Sequence, residues 1–139
     1  TGATLVPTDA TGVKALTKAL REGQASGILP DQEPSEGNGV FCDFFGQPAY
    51  TVAPLVKLAK KRRIPVFFLA AERLKGGRGF IIHGHRGSDQ LYDLPLEDAC
   101  AAMNAEMESL IREFPQQYNW AYRRFRKHPQ GINRYANNT

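Results

Sequence analysis

The sequence predicts a single α/β domain over residues 1–139, with a largely parallel sheet flanked by helices. Strand-like runs alternate with helical patterns along the chain, which is typical of βαβ units. The run from Ile64 to Arg73 is apolar until Glu72, as in a strand that is covered on both faces. A hydrophobic content of 42% in 139 residues is enough for one core.

The first half of the chain is predicted to alternate short strands with two helices. Residues 4–7 and 26–30 are interpreted as short strands. A helix over residues 11–23 places three apolar side chains on one face and ends at a glycine. Residues 40–48 are predicted to form an aromatic, irregular segment, and residues 50–63 to form a helix with a basic stripe.

The second half is predicted to hold the strongest strand and the longest helix. The strand at residues 64–73 is followed by a glycine-rich turn and a second strand at Phe80–His83. The longest helix follows Pro95, carries acidic residues in its first turn and buries a face that extends to Phe114. A further helical segment is expected after Pro115, with one face formed by Trp120, Arg123, Arg124 and Lys127.

Charge and composition limit the classes of function. A net charge of +4 and a pI near 9.2 favour an anionic partner, but charge alone does not choose among nucleic acid, acidic protein and phospholipid. No apolar run is long enough for a transmembrane helix within this chain. Two cysteines indicate a reducing compartment rather than a disulfide framework. The chain opens on Thr1 rather than Met, so we expect a fragment of a longer protein.

No catalytic group or cofactor site is predicted from the residues. His83 and His85 are interpreted as solvent-facing side chains at a strand end, because no third ligand has the spacing of a metal site. Neither a nucleophile elbow nor a Walker loop is present. Cys42 and Cys100 are interpreted as packing residues.

Polar residues that follow predicted strands are candidates for ligand binding. Asp31 and Gln32 follow the predicted strand at 26–30, and Arg73 ends the strongest strand, where ligands of parallel sheets bind. Asp31 is equally well explained as a turn-initiating residue. Arg73 suits an anion, and its alternative is a surface salt bridge with Glu72 or Glu33.

Two aromatic segments each allow more than one interpretation. Three phenylalanines at positions 41, 44 and 45 either line an apolar groove for a chain-like ligand or fill the core beneath a loop. The segment from Tyr118 to His128 interleaves aromatic and basic residues. This pattern fits a nucleic-acid surface, an interfacial membrane helix, or a helix that packs its aromatic side chains inward.

Several segments together resemble the lipid A biosynthesis acyltransferases of the lauroyl/myristoyl type, within the lysophospholipid acyltransferase superfamily. The resemblance begins with Leu20-Arg-Glu-Gly running into Gly27-Ile-Leu-Pro-Asp-Gln, followed by Gly39-Val-Phe-x-x-Phe-Phe-Gly and Ala71-Glu-Arg. It ends with Pro115-Gln-Gln-Tyr, Trp120 and Tyr122-Arg-Arg-Phe. It covers nearly the whole chain in order.

The resemblance implies transfer of a fatty acyl group from acyl carrier protein to a hydroxyl of a glucosamine-based lipid, at the cytoplasmic face of the bacterial inner membrane. The family uses a His-x4-Asp/Glu motif, whose carboxylate orients the catalytic imidazole. The residues five positions after His83, His85 and His128 are Ser88, Gln90 and Asn133, none of them acidic. We therefore expect the C-terminal half of such an enzyme, with the catalytic dyad located upstream and no cofactor.

The resemblance also implies which residues bind the substrate, and these are Asp31, Gln32, Phe41, Phe44, Phe45, Gly46 and Arg73. Arg123 and Arg124 are implied to contact membrane phosphates or the acidic carrier protein. Trp120 is predicted to join them, because the expected helical face places its indole beside these cations. Asp43 stands where the family usually has proline, so its role stays open. The alternative is a basic module that binds nucleic acid or anionic lipid. A Val-Phe-x-x-Phe-Phe-Gly loop has no purpose in a nucleic-acid module, so we expect no nucleic acid as a partner.

Overall fold

A computed structural model of the chain describes residues 2–7, 10–132 and 134–135. Four helices and four strands occur in this part of the chain. In order they are α1 (Ala10–Arg21), β1 (Gly39–Phe44), β2 (Gln47–Val52), α2 (Ala53–Arg62), β3 (Phe67–Arg73), β4 (Phe80–Arg86), α3 (Gln90–Asp93) and α4 (Leu96–Glu113). Short 3-10 turns lie at Lys75–Gly77 and Pro115–Gln117.

The strands form two separate antiparallel hairpins, β1–β2 and β3–β4, so the predicted largely parallel sheet is wrong. The connections explain the difference. Only residues 45–46 join β1 to β2 and only residues 74–79 join β3 to β4. A parallel pair needs a crossover of about a dozen residues or more. The apolar run in β3 therefore belongs to a hairpin.

The long helix α4 holds the two hairpins together. It contacts β1, β3, α2 and α3, and its apolar stripe supplies much of the core, as its sequence periodicity predicts. The core members on α4 are Ala99, Cys100, Met103, Met107 and Leu110. Glu97 and Asp98 occupy its first turn, where acids are stabilised by the helix dipole.

Both cysteines serve as packing residues. Cys100 is fully buried, and burial raises the pKa of its thiol to about 12. Burial also raises the pKa of Cys42 above its ordinary value. A protonated thiol is a poor nucleophile, which supports the interpretation made from the sequence.

Four local predictions also fail. Residues 4–7 and 26–30 form no strand, and residues 40–48 form most of the β1–β2 hairpin instead of an irregular segment. The chain after Pro115 forms a 3-10 turn and then irregular turns, with no further α-helix in the described residues. Proline disfavours helical backbone in the residue before it, and Phe114 lies outside the helical region at φ −131° and ψ 51°.

None of the described helices combines the length and the apolar character that crossing a bilayer requires.

Candidate functional site

The tip of the β1–β2 hairpin is a two-residue turn with an unusual backbone. Phe45 and Gly46 both adopt positive φ angles, 51° and 71°, between the paired residues Phe44 and Gln47. Tight hairpin turns of two residues favour this left-handed geometry because it matches the twist of the strands. Glycine adopts it freely, whereas a bulky residue such as Phe45 is strained there.

A buried carboxylate holds Phe45 in this position. The Phe45 amide donates to Oε1 of Glu108 at 2.7 Å, and Arg112 donates to the other oxygen of Glu108 at 2.8 Å. The Arg112 guanidinium lies 4.9 Å from the centre of the Phe45 ring, and the Trp120 ring lies 5.9 Å from it. The turn therefore displays an aromatic pair next to a cation.

Beneath the turn, Asn104 ties α4 to the hairpin backbone. Its side-chain amide donates to the carbonyl of Asp43 at 2.6 Å and to Oγ1 of Thr51 at 3.1 Å. Asn104 and Thr51 are both fully buried. Each of these hydrogen bonds replaces water that the buried groups lost on folding, so the hairpin has one favoured position against the helix.

Arg124 reaches the same place from the C-terminal segment. Only 3% of it is exposed, and its guanidinium donates to the carbonyl of Tyr50 and to Oγ1 of Thr51, both at 2.8 Å. Its guanidinium also lies 5.3 Å from the centre of the Phe44 ring. Burial lowers the pKa of Arg124, and the nearby Tyr118 opposes that shift. Among the described residues, no carboxylate forms an ion pair with it.

Asp31 and Gln32 lie in a turn that no strand precedes, so the sheet-edge argument for them fails. Asp31 is half-buried and Gln32 is exposed. The Asp31 carboxylate is nevertheless close to the C-terminal segment. Burial raises the pKa of Tyr118, and the charge of Asp31 raises it further. The structure thus brings Asp31 towards Tyr118 and Arg124.

Phe41, Phe44 and Phe45 take three different positions on the hairpin. Phe44 belongs to the core with 2% exposure, whereas Phe41 lies on the outside with its ring 5.0 Å from that of Tyr50. Phe45 is half-buried at the tip. Core filling therefore describes Phe44, whereas groove lining by Phe41 and Phe45 stays a prediction.

Arg73 lies at the end of β3, beside an open depression of about 350 Å³ that is lined by residues of the 73–80 turn. Its backbone amide donates to the Gln117 side chain at 2.7 Å, and its guanidinium lies 4.6 Å from the centre of the Phe80 ring. Both carboxylates of the salt-bridge alternative are used elsewhere, since Glu72 pairs with His83 and Glu33 with Arg126. The described residues show no contact between Arg73 and the aromatic turn.

The predicted helical face of Trp120, Arg123 and Arg124 does not exist, because this segment is not helical. Trp120 is 59% exposed and its indole N–H donates to the Pro115 carbonyl at 2.6 Å. Arg123 is exposed, while Arg124 faces inward. Trp120 and Arg123 thus remain as exposed residues for a membrane or carrier-protein contact, which stays a prediction.

The two histidines differ from their prediction as solvent-facing residues. Both lie half-buried in β4, where His83 Nε2 is 2.9 Å from Glu72 and His85 Nε2 is 2.7 Å from Glu106. The amide of Ser88 donates to the second oxygen of Glu106 at 3.0 Å. The described residues contain no group of three or more possible metal ligands.

Sequence reasoning missed the acceptors and donors that build the site. Cys100, Asn104 and Glu108 follow one another at intervals of four positions, which places them on the buried stripe of α4. Two polar residues on an apolar stripe were an available signal. Glu33 gave no comparable signal, although its fully buried side chain accepts from Arg126 and from the Lys127 amide.

Comparisons with known proteins identify the class. The model of the bacterial lipid A biosynthesis acyltransferase family matches residues 1–127. The chain is 32% identical over 127 residues to a lipid A biosynthesis acyltransferase of Haemophilus influenzae, which covers 89% of this chain and 38% of that protein. It is 30% identical over 134 residues to the lipid A biosynthesis lauroyltransferase of Escherichia coli, and this match covers 89% of this chain and 41% of that protein.

This chain belongs to the bacterial lipid A biosynthesis acyltransferase family, as its motifs indicated. It spans about two fifths of the length of these two relatives.

The adjacent residues Arg123 and Arg124 offer a matched test of the buried network. We expect Arg124→Ala to lower the free energy of unfolding by about 2–4 kcal/mol, because the Tyr50 carbonyl and Thr51 hydroxyl lose a charged donor inside the protein. Arg123→Ala removes only an exposed contact with the Tyr135 ring and should cost less than about 1 kcal/mol. Urea unfolding of both variants measures the difference, and equal losses would contradict the assignment.

Glu106 should make stability depend on pH. Burial acts to raise its pKa, but hydrogen bonds from Ser88 and His85 outweigh burial, and the net pKa is lowered. A lowered folded-state pKa stabilises the fold above the unfolded value of about 4.3, and this contribution is lost as pH falls through the folded value. Glu106→Gln should therefore be less stable than wild type at pH 6, with a smaller gap at pH 3.

The exposed Glu113 supplies the control for this titration. Urea unfolding of both variants at the two pH values gives the Glu106→Gln gap relative to that of Glu113→Gln. A Glu106→Gln gap that stays constant between pH 6 and pH 3 would show that the carboxylate charge is not responsible.

Proposed function

We propose that this chain forms the acceptor- and acyl-binding region of an acyltransferase that moves a fatty acyl group from acyl carrier protein to a hydroxyl of a lipid A precursor. The observation that carries the proposal is the aromatic turn at Phe45 and Gly46. A left-handed backbone costs a residue other than glycine about 1–2 kcal/mol. The hydrogen bond from the Phe45 amide to the buried Glu108 carboxylate offsets this cost. Strain that is maintained by surrounding contacts is typical of functional positions.

The chemistry around the turn suits a lipid. The rings of Phe45 and Trp120 provide a partly exposed apolar surface, which an acyl chain needs. Arg112 lies against the Phe45 ring, but its charge is paired with Glu108. An anionic headgroup needs a cation without such a partner. Arg73 offers another cation at an open depression, stacked on Phe80 and without a carboxylate partner among the described residues.

The expected location is the cytoplasmic face of a Gram-negative inner membrane, where acyl carrier protein would donate the acyl group. A net charge of +4 favours association with an acidic carrier protein and with anionic lipid. Trp120 and Arg123 are the exposed candidates for these contacts. The names of the relatives, an acyltransferase and a lauroyltransferase of lipid A biosynthesis, support the same reaction.

The reaction requires a base. In the family a His-x4-Asp/Glu motif supplies it, and this chain does not contain that motif. In the transfer, the acceptor hydroxyl oxygen bonds to the thioester carbonyl carbon, the carrier thiolate leaves, and the hydroxyl proton passes to the base. His83 and His85 each meet a carboxylate, but on the inner face of the β3–β4 hairpin and without a described contact to the aromatic turn.

We therefore expect the purified 139-residue chain to show no acyl transfer. The assay measures release of thiol from an acyl-carrier-protein thioester, with a no-protein control and a lipid A precursor as acceptor. Turnover above that control would contradict the expectation. The variants His83→Ala and His85→Ala would then show whether one of the histidine–glutamate pairs acts as the base.

Arg73 and Lys75 provide a matched pair for the anion-binding role. The test enzyme is the Haemophilus influenzae relative with its matched segment replaced by this chain. We expect Arg73→Ala to lower kcat/KM by about 10- to 100-fold, since a hydrogen bond to a charged group contributes about 1.5–3 kcal/mol. Lys75→Ala, in an exposed turn, should change kcat/KM by less than about 3-fold. Equal effects would remove Arg73 from the site.

A further inference from the structure

The outer face of the β3–β4 hairpin is apolar and exposed. Phe67, Leu69 and Ile82 are 62%, 68% and 63% exposed, and Ala71 is also exposed. The strand register places Ala71 opposite Ile82, and Leu69 opposite a glycine whose missing side chain makes room for it. The four side chains therefore form one patch, which we call the outer patch. A contiguous apolar patch of this kind marks an interaction surface.

The edge of β3 that faces away from β4 is open. Hydrogen bonds from Leu74 to Gly79 and from Gly87 to Val66 define which residue pairs are bonded across the two strands. By the antiparallel alternation, the backbone groups of Phe67, Leu69 and Ala71 point away from β4. Within the described part of the chain, only Arg73 on this edge has a partner, the Gln117 side chain.

These two features together favour a polypeptide over a membrane as the occupant. Lipid could cover apolar side chains, but it cannot satisfy the amides and carbonyls of an open strand edge, and such edges do not occur in the hydrocarbon region. A polypeptide satisfies both by adding a strand to the edge and packing side chains over the patch. The apolar character of β3 on both faces is also typical of a strand inside a covered sheet.

The relatives supply the identity of such a polypeptide. Each has about three fifths of its length outside the segment that this chain matches. We infer that the outer patch and the open edge of β3 form a docking surface for that remaining part of the acyltransferase fold, which extends the hairpin into a larger sheet. This inference rests on the proposed function, because the occupant is taken to be the rest of an acyltransferase.

Hydrogen exchange tests this docking surface directly. The amides of Phe67, Leu69 and Ala71 are followed in the 139-residue chain and in the chimera described above, in which the Haemophilus influenzae relative supplies the rest of the protein. We expect these amides to exchange at least about 100-fold more slowly in the chimera, because docking suppresses local opening and gives them hydrogen-bond acceptors. Exchange in the chimera that is as fast as in the 139-residue chain, or faster, would overturn the inference, and a chimera that does not fold counts as this outcome.

Two matched pairs of variants separate the edge from the patch. Ala71→Pro deletes an amide that has no partner in the described chain, and proline is tolerated at strand edges, whereas Ala71→Val keeps this amide. Leu69→Asn alters the patch, and Leu29→Asn alters an equally exposed leucine elsewhere, at 67%. We expect Ala71→Pro and Leu69→Asn each to reduce the protection of Phe67 by at least about 10-fold in the chimera, and the two controls to leave it unchanged.

Two further measurements on the 139-residue chain cover the other occupants. Co-sedimentation with phosphatidylglycerol vesicles that is lost in Leu69→Asn would assign the patch to a membrane and overturn the inference. A dimer in light scattering that is lost in Ala71→Pro would assign it to a second copy and overturn it as well. Slow exchange in a chimera without acyl transfer would uphold the docking surface and reject the proposed function. Acyl transfer by a chimera with fast exchange would uphold the proposed function and reject the docking surface.

Discussion

Buried hydrogen bonds from one face of α4 to the first hairpin constrain the rest of this structure. The Asn104 side chain donates a hydrogen bond to the hairpin backbone, and the Glu108 carboxylate accepts one from the Phe45 amide at the tip. An unpaired polar group at these depths would cost about 1–3 kcal/mol, so displacement of the hairpin is penalised at several atoms together. Apolar packing alone would tolerate small shifts, whereas these bonds favour one position.

The C-terminal segment completes this arrangement without being a helix. Arg124 joins the hydroxyl of Thr51 that Asn104 also contacts, so helix, hairpin and C-terminal segment meet at one buried oxygen. On the other side, Glu33 accepts from Arg126 and from the Lys127 backbone. The irregular path after Pro115 is thereby determined by specific side-chain bonds rather than by local helical order.

The two hairpins differ in how completely the chain covers them. The first packs against α4 and receives Arg124, whereas the second packs one face towards α4 and leaves the other exposed. This asymmetry matches a chain that spans about two fifths of its relatives and that belongs to the lipid A biosynthesis acyltransferase family. The strained aromatic turn lies on the well-supported hairpin, where its geometry can be maintained.

The sequence by itself determined the family, the stripe of α4, the turn before β4 and the identity of the aromatic motif, because these features depend on local spacing and on residue type. It did not determine strand direction, since an apolar run is compatible with both a parallel strand and one half of a hairpin. Only the tertiary structure placed Arg124 inside, paired the histidines with Glu72 and Glu106, and brought Glu108 beneath Phe45. These contacts join residues that are distant along the chain, and their formation depends on how hairpin and helix pack, which no local pattern encodes.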